Sequence, residues 1–301
     1  MSASVCLLQR NGELSPSELA TAVEERGFDT LFVPENTHMP INRRRAAPYP
    51  ESRMKSLASL SDPFVTLGAC AAVTKHIKLG MSVCLLTHRD PIATAKSASS
   101  LDLLSGGRLI LGVAGGFVAE AMENHGSPFK HRWRIVREKT LAMRSIWNDD
   151  EPEFHGEFVD FAPIVAKTKP FQKGGPPIWI GSNSAAVPDR VADYGDGWIV
   201  FHGRYKGDAI ADLKAACDRR CRDFSELSIS LMDAPQEGPG LREQFDAGYR
   251  RFIFMVPLAT TDETLGSLDQ LALLMADLRA EVGETHERDG EAKTRSNPHI
   301  A

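Results

Sequence analysis

Ser97-Ala-Ser-Ser-Leu-Asp-Leu-Leu-Ser-Gly-Gly-Arg-Leu-Ile-Leu-Gly-Val-Ala-Gly-Gly-Phe117 is the stretch from which the fold can be read. Its first half sets Ala98, Leu101 and Leu104 at helical spacing, so one face of a helix turns inward. Gly106 and Gly107 then end the helix, because glycine accepts the left-handed geometry of a C-terminal cap. Arg108–Val113 is too short and too apolar for anything but a buried strand. Gly115 and Gly116 follow at once. They make either a tight turn or a point where backbone approaches a ligand closely.

Strand and helix signals alternate on both sides of this unit. Ahead of it, Val5–Leu8 reads as a strand, and Ser15-Pro16 opens a helix that runs through Arg26 and stops at Gly27. Asp29–Val33 is a second strand, followed by a long polar loop from Pro34 to about Ser59. Asp62-Pro63 starts a helix to about Val73, and Ile77–Leu86 is the third strand. Behind the unit come a short helix Val118–Asn124 and a longer one from Trp133 to Trp147. Glu153–Phe161 alternates like a small hairpin around Gly156 and reads as an insertion. Strands at Pro177–Gly181, Gly197–Val200, Leu227–Met232 and Phe252–Val256 alternate with helices at Ala185–Tyr194, Asp208–Arg222, Leu241–Tyr249 and Glu263–Leu278. Residues 284–301 are polar and read as a disordered tail.

Eight strands, each followed by a helix, imply a parallel sheet. Over about 280 residues the expectation is an α/β fold, a single (β/α)8 TIM barrel of residues 1–283, with catalytic groups on the loops after the strands. It carries a loop insertion after the second strand and the small hairpin before the fifth. An open doubly wound sheet would show fewer units.

Composition removes several function classes. The chain has 301 residues, 25% of them charged, and a net charge of −5, with no clustered basic face of the kind nucleic acid requires. Arg43-Arg44-Arg45 is the one dense basic run; it reads as a solvated loop or as a meeting point for an anionic cofactor tail or substrate. No apolar run approaches the roughly 20 residues that cross a bilayer. The N-terminus lacks a basic region followed by a cleavage site. Cys6, Cys70, Cys84, Cys217 and Cys221 show no zinc spacing, so they read as the reduced thiols of a cytoplasmic protein. No metal-ligating set of histidines and carboxylates is visible.

In a barrel the loops to inspect are Glu35-Asn-Thr-His38, Thr87-His-Arg-Asp-Pro91, Ala114-Gly-Gly-Phe117 and Gly181-Ser-Asn-Ser184. The last precedes a helix, where free N–H groups, hydroxyls and the positive dipole end suit a phosphate. Plain capping by Ser182 or Ser184 is the alternative. His38 is the candidate acid/base group, since histidine titrates near neutrality. Glu35 can hydrogen-bond within the mouth. His88 and Arg89 are placed to meet the substrate or an anionic cofactor tail, arginine matching carboxylate and phosphate geometry. Trp179 reads as core, and Asp196 as a turn residue.

These residues resemble the bacterial luciferase-like flavin and deazaflavin oxidoreductases. The likeness runs from about Ser15 to Met255 and is carried by Gly27–Glu35, Asp102–Gly116, Pro177–Ser184 and Ala192–Trp198, in that order. The closest flavour is the subgroup usually assigned to coenzyme F420, an 8-hydroxy-5-deazaflavin; relatives that use FMN share most of the motifs. The resemblance implies a ring across the barrel mouth against Gly115, Gly116 and Phe117, with its phosphate on Gly181, Ser182 and Asn183. It also implies a non-prolyl cis peptide at Ser82-Val83 and a homodimer. Departures from the family pattern stand out. Asn36 replaces the histidine often found directly after the glutamate, while His38 matches another common position. Phe117-Val118 replaces a frequent Trp-Asn pair, and Ala121-Met122 a usual Glu-Phe.

Three readings follow. One is F420-dependent hydride transfer to or from a small organic substrate. Another is an FMN-dependent monooxygenase served by a partner reductase. The third is a barrel that binds a cofactor or ligand without turnover.

Overall fold

The computed structural model describes residues 1–7, 14–46, 49–256 and 260–295, with side chains as far as 283. In chain order the elements are β1 (Ser2–Leu7), α1 (Pro16–Glu25), β2 (Thr30–Val33), α2 (Glu51–Ala58), α3 (Pro63–Val73), β3 (Lys78–Leu85), α4 (Pro91–Ser105) and β4 (Leu109–Ala114). There follow α5 (Ala119–Asn124), α6 (Arg132–Asn148), the short pair β5 (Phe154–His155) and β6 (Asp160–Phe161), then β7 (Ile178–Gly181) and α7 (Val187–Tyr194). The chain finishes with β8 (Gly197–Phe201), α8 (Ala209–Arg219), β9 (Ser228–Met232), α9 (Gly238–Asp246), β10 (Arg251–Val256) and α10 (Thr261–Arg295).

Eight parallel strands close into a barrel in the order β1-β10-β9-β8-β7-β4-β3-β2. Closure is made by β1 on β10, in register from Ser2 opposite Arg251 to Leu7 opposite Val256. β5 and β6 pair antiparallel outside the barrel. Their turn is held by Glu138 of α6, whose carboxylate accepts from the backbone N–H groups of Phe158 at 2.7 Å and Val159 at 3.0 Å.

The barrel interior explains why glycine recurs on its strands. Cys6, Phe32, Ile110, Trp179, Ile199, Met232 and Ile253 point inward from different strands and form a buried cluster. Phe32 and Trp179 are too large to face other side chains at the same level, so each lies over a glycine. A Cβ at Gly80 would run into the Phe32 ring, and one at Gly197 would stand 2.6 Å from Trp179 Cδ1. Trp179 is therefore core packing. A larger cluster lies between strands and helices and holds the outer layer.

The Ser97–Phe117 unit is built as its sequence implies. Gly106 caps α4 in the left-handed region, φ 67°. Asp102 is fully buried on α4 and accepts from Gln172 N at 2.8 Å and Gln172 Nε2 at 2.7 Å, which ties down the segment before β7. Arg108 reaches the C-terminal carbonyls of α3, Ala71 at 3.1 Å and Thr74 at 2.9 Å, where a cation is favourable.

Some boundaries differ from the sequence reading. β1 starts at Ser2, because its small polar residues complete the ladder with β10; Leu8, expected at its end, lies outside the described residues. The loop after β2 contains α2, a helix with only Met54 and Leu57 buried. The tail expected to be disordered from 284 instead continues α10 to Arg295, and residues 296–301 lie outside the described residues. Among the described residues no single helix is long and apolar enough to cross a membrane.

Gly112 lies on β4 where a Cβ would collide with the backbone oxygen of Met81. Gly112→Ala is expected to cost about 1–3 kcal/mol through overpacking. Urea unfolding measures it, and an unchanged midpoint would refute the close approach of β3 and β4.

Candidate active site

The C-terminal ends of the barrel strands surround a cavity of about 310 Å³, at the lower end of small-molecule sites. Its wall on β3, β4 and β7 is formed by Ser82, Val83, Gly116, Phe117, Gly181, Ser182 and Asn183. On the far side stand Cys6 of β1, Asp233 directly after β9 and Met255 of β10, and the roof carries Tyr49, Arg53 and Leu57 from the loop after β2. The Ser82–Val83 peptide bond is cis. A Cβ at Gly181 would stand 2.5 Å from Val83 Cγ1, so only glycine lets the end of β7 close against this bulge.

The Gly181–Ser184 turn decides between the two readings left open by its sequence. α7 has Ala186 at its N-cap and no side-chain cap, so Ser182 and Ser184 do not cap it. The Ser184 hydroxyl instead accepts from Arg190 Nη1 at 3.0 Å, and that guanidinium lies 4.3 Å from the Trp133 ring centroid. Asn183 Oδ1 accepts from Phe201 N at 3.0 Å and Ser182 O from Trp198 Nε1 at 2.8 Å. The turn is thus braced against β8 with the Arg190 guanidinium beside it; of the first-turn N–H groups of α7, Val187 already donates to Ser184 O at 2.9 Å and Pro188 has none. Such a cradle can take an oxyanion.

Several of the expected chemical groups are committed elsewhere. Glu35 is buried with its carboxylate accepting from Leu85 N at 2.6 Å and Arg89 Nε at 2.5 Å. Arg89 also reaches Asp62 at 2.6 Å. Arg89 does not line the cavity, where a substrate or cofactor tail was expected to meet it; between Glu35 and Asp62 it is a mouth strut. Glu35 contributes to the lining only as the anchored partner of that strut. Asn36 is buried beside it and does face the cavity. Gly115 is covered by the Arg132 side chain, 3.1 Å from where a Cβ would stand, and lies behind the wall.

His38 and His88 are likewise outside the lining. Both ring Nδ1 atoms meet the Thr37 hydroxyl, at 3.0 and 3.2 Å, and His125 Nε2 meets it at 3.1 Å. The His88 and His125 rings stack with centroids 4.9 Å apart. His38 Nε2 contacts Asn124 Nδ2 at 2.8 Å. The acid/base role expected for His38 therefore lacks access to the cavity. Burial, then the neighbouring His125, His38, Lys139 and Arg89, push the His88 pKa down to about 3. Among the described residues no group of histidines, cysteines and carboxylates is arranged to hold a metal ion, and all five thiols are free.

Arg53, Arg190, Arg204 and Asp233 were not picked out from sequence. Arg204 and Asp233 follow β8 and β9, and inspecting every loop at a strand's C-terminal end would have found them. Asp233 stands at φ 59°, the left-handed region that side chains rarely adopt.

A luciferase-like monooxygenase family model matches residues 15–286. The chain belongs to this family. An uncharacterized protein of Mycobacterium tuberculosis is 32% identical over 274 residues, covering 87% of this chain and 94% of that protein. The F420-dependent glucose-6-phosphate dehydrogenase of Mycobacterium avium is 28% identical over 263 residues, 84% of this chain and 72% of that enzyme. Monooxygenase RslO1 from Streptomyces bottropensis shares the fold, with a TM-score of 0.73 at 15% identity over 93% of this chain and 100% of its own.

Two outcomes test the placements above. Glu35→Gln leaves Arg89 half-paired in a buried setting and is expected to cost about 3 kcal/mol in urea unfolding; a cost near zero would mean the strut is dispensable. For His88, folded and unfolded states are both neutral above pH about 6.5. Between about 6.5 and about 3 the unfolded chain takes up a proton that the folded chain refuses, so stability falls by about 1.4 kcal/mol for each unit of acidification. His88→Asn should flatten the dependence of melting temperature on pH across that window. A variant with the wild-type slope would show that His88 is not held neutral.

Proposed function

We propose that this protein is an F420-dependent oxidoreductase that moves a hydride to or from a small organic substrate at the mouth of its barrel. The observation that carries this reading is the match to F420-dependent dehydrogenases over 84% of the chain, taken with a cavity whose β7 side ends in an oxyanion cradle. The residues present fit such a cofactor. Ser82 Oγ is buried in the wall without a hydrogen-bond partner, an arrangement that costs about 1–3 kcal/mol unless a bound group satisfies it.

When bound, the deazaflavin supplies the hydride chemistry itself. The chain's part is to bind, orient and handle protons. Gly181, Ser182 and Asn183 hold the phosphate, with Arg190 behind Ser184 adding positive charge. Ser82, Val83, Gly116 and Phe117 shape the slot for the ring. Phe117, Leu57, Met232 and Met255 give the cavity apolar walls that exclude water. Of the two carboxylates in the lining, Glu35 is tied to Arg89, and Asp233 forms no ion pair among the described residues. Asp233 is accordingly the group that takes or returns the proton accompanying the hydride.

Parallel fluorescence titrations with F420 and FMN test the cofactor. Preferential binding of F420 is expected; preference for FMN would replace this reading with an oxygen-using monooxygenase and its reductase, and binding of neither would leave a ligand-binding barrel. Ser182→Glu, alone and with Asn183→Glu, is expected to weaken F420 binding about 100-fold, roughly 2.7 kcal/mol, with the melting temperature of the single variant unchanged. Undiminished affinity would remove the phosphate from this turn.

A further inference from the structure

The roof of the cavity carries positive charge that no carboxylate among the described residues pairs. Arg53 lies on α2 and Arg204 follows β8, and both line the cavity. They flank the same ring. The Arg53 guanidinium carbon stands 4.6 Å from the Tyr49 centroid and that of Arg204 5.0 Å from it. Arg204 Nη1 also donates to the Tyr49 hydroxyl at 2.9 Å.

Neither arginine forms an ion pair among the described residues, where Arg89, Arg137 and Arg144 all do. Arg53 Nε is buried and has no hydrogen-bond partner. A guanidinium carries five donors in a planar fork, and leaving one buried and unmet is costly. Asp233 is the one other charge at this end of the cavity that is not already paired. It and Arg53 are the two charges felt by the buried Cys6 thiol on β1, and it forms no ion pair with either guanidinium among the described residues.

Position separates Arg53 from the turn on β7, whereas Arg204 follows β8, the strand paired with β7. β1, beside which Arg53 sits, is four strands from β7 in a closed ring of eight, hence diametrically opposite. The rest of the lining includes the apolar Phe117, Leu57 and Met255. The cavity thus offers the Gly181–Ser184 turn for a phosphate and, around the Tyr49 ring that packs on Phe117 with centroids 5.5 Å apart, a second pair of cationic forks.

We propose that Arg53 and Arg204, aligned by Tyr49, form a substrate subsite for an oxyanion, so that the substrate is an organic carboxylate or phosphate ester with an apolar body. This rests on the reading of the cavity as an active site and names the class of substrate it takes. Planar forks bind carboxylate and phosphate oxygens in pairs. The apolar walls cover the rest of the molecule. Arg53 and Arg204 act here as specificity-determining residues.

Calorimetric titration of the full chain, with and without F420, using hexanoate, hexyl phosphate and hexan-1-ol as probes, tests this. At least one of the anions is expected to bind tenfold or more tightly than the alcohol, and the tighter one names the head group. Arg53→Met and Arg204→Met should each abolish that preference while F420 affinity stays within twofold, and Arg53→Lys should restore part of it. Equal binding of the three probes, or an anion preference that survives Arg53→Met but disappears in Ser182→Glu, would overturn the subsite. So would a loss of F420 affinity in Arg53→Met with hexanoate unaffected, since the arginines would then serve the cofactor. Failure of F420 to bind wild-type protein while the anion preference and its arginine dependence persist would sink the proposed cofactor and leave the subsite standing.

Discussion

One buried carboxylate organises the mouth of this barrel. Glu35 sits where β2 ends, takes the backbone N–H of Leu85 where β3 ends, and is neutralised by Arg89. Arg89 in turn holds one oxygen of Asp62, whose other oxygen caps α3 through Phe64 N and Val65 N. Three elements are fixed to one charge pair. Taking both ions out of water is costly, and the geometry has to repay that cost through well-placed hydrogen bonds. Lys139 of α6 extends the lattice by donating to the carbonyls of Leu86 and Arg89. The Ser82–Val83 segment projects into the cavity from a strand whose end is clamped in this way, so the shape of the cavity wall depends on the clamp.

Below the mouth the barrel is closed by size matching. Phe32 and Trp179 fill the interior because Gly80 and Gly197 stand opposite them. This packing fills the barrel interior, and the cavity described above lies at the C-terminal rim. The same logic operates at the rim, where Gly181 lets β7 approach Val83. Glycine placement therefore sets both where the core ends and where the cavity begins.

The parts legible in sequence are those whose pattern is local. The helix–Gly-Gly–strand unit, the alternation of eight strands and helices, and the Gly181–Ser184 turn all follow from periodicity and turn chemistry over a dozen residues. α2 was not legible, because it has only Met54 and Leu57 to bury and its remaining residues read as a polar loop. Arg53 was hidden with it. His38 is a different case. Its neighbour Asn36 faces the cavity, but two residues later the chain has turned away, and no periodicity rule describes a loop that joins a clamped strand end to α2.

The histidines then account for the departures at this wall. His38, His88 and His125 share one threonine hydroxyl that has a single proton to donate, and Lys139 and Arg89 stand close enough to disfavour protonation of His88. His88 and His125, whose protonation burial disfavours, stand behind the wall as a packing device rather than a proton relay. Asn36 and Phe117 match that character, since neither titrates. The charged groups that line the cavity without an ion pair among the described residues, Arg53, Arg204 and Asp233, come from the loop after β2 and from the ends of β8 and β9. On the proposed reading, the β3–β4 wall supports a ring and excludes water, while charge recognition and proton handling fall to the loop after β2 and the ends of β8 and β9. The same barrel can acquire a different substrate by changing those few rim residues without disturbing the clamp beneath them.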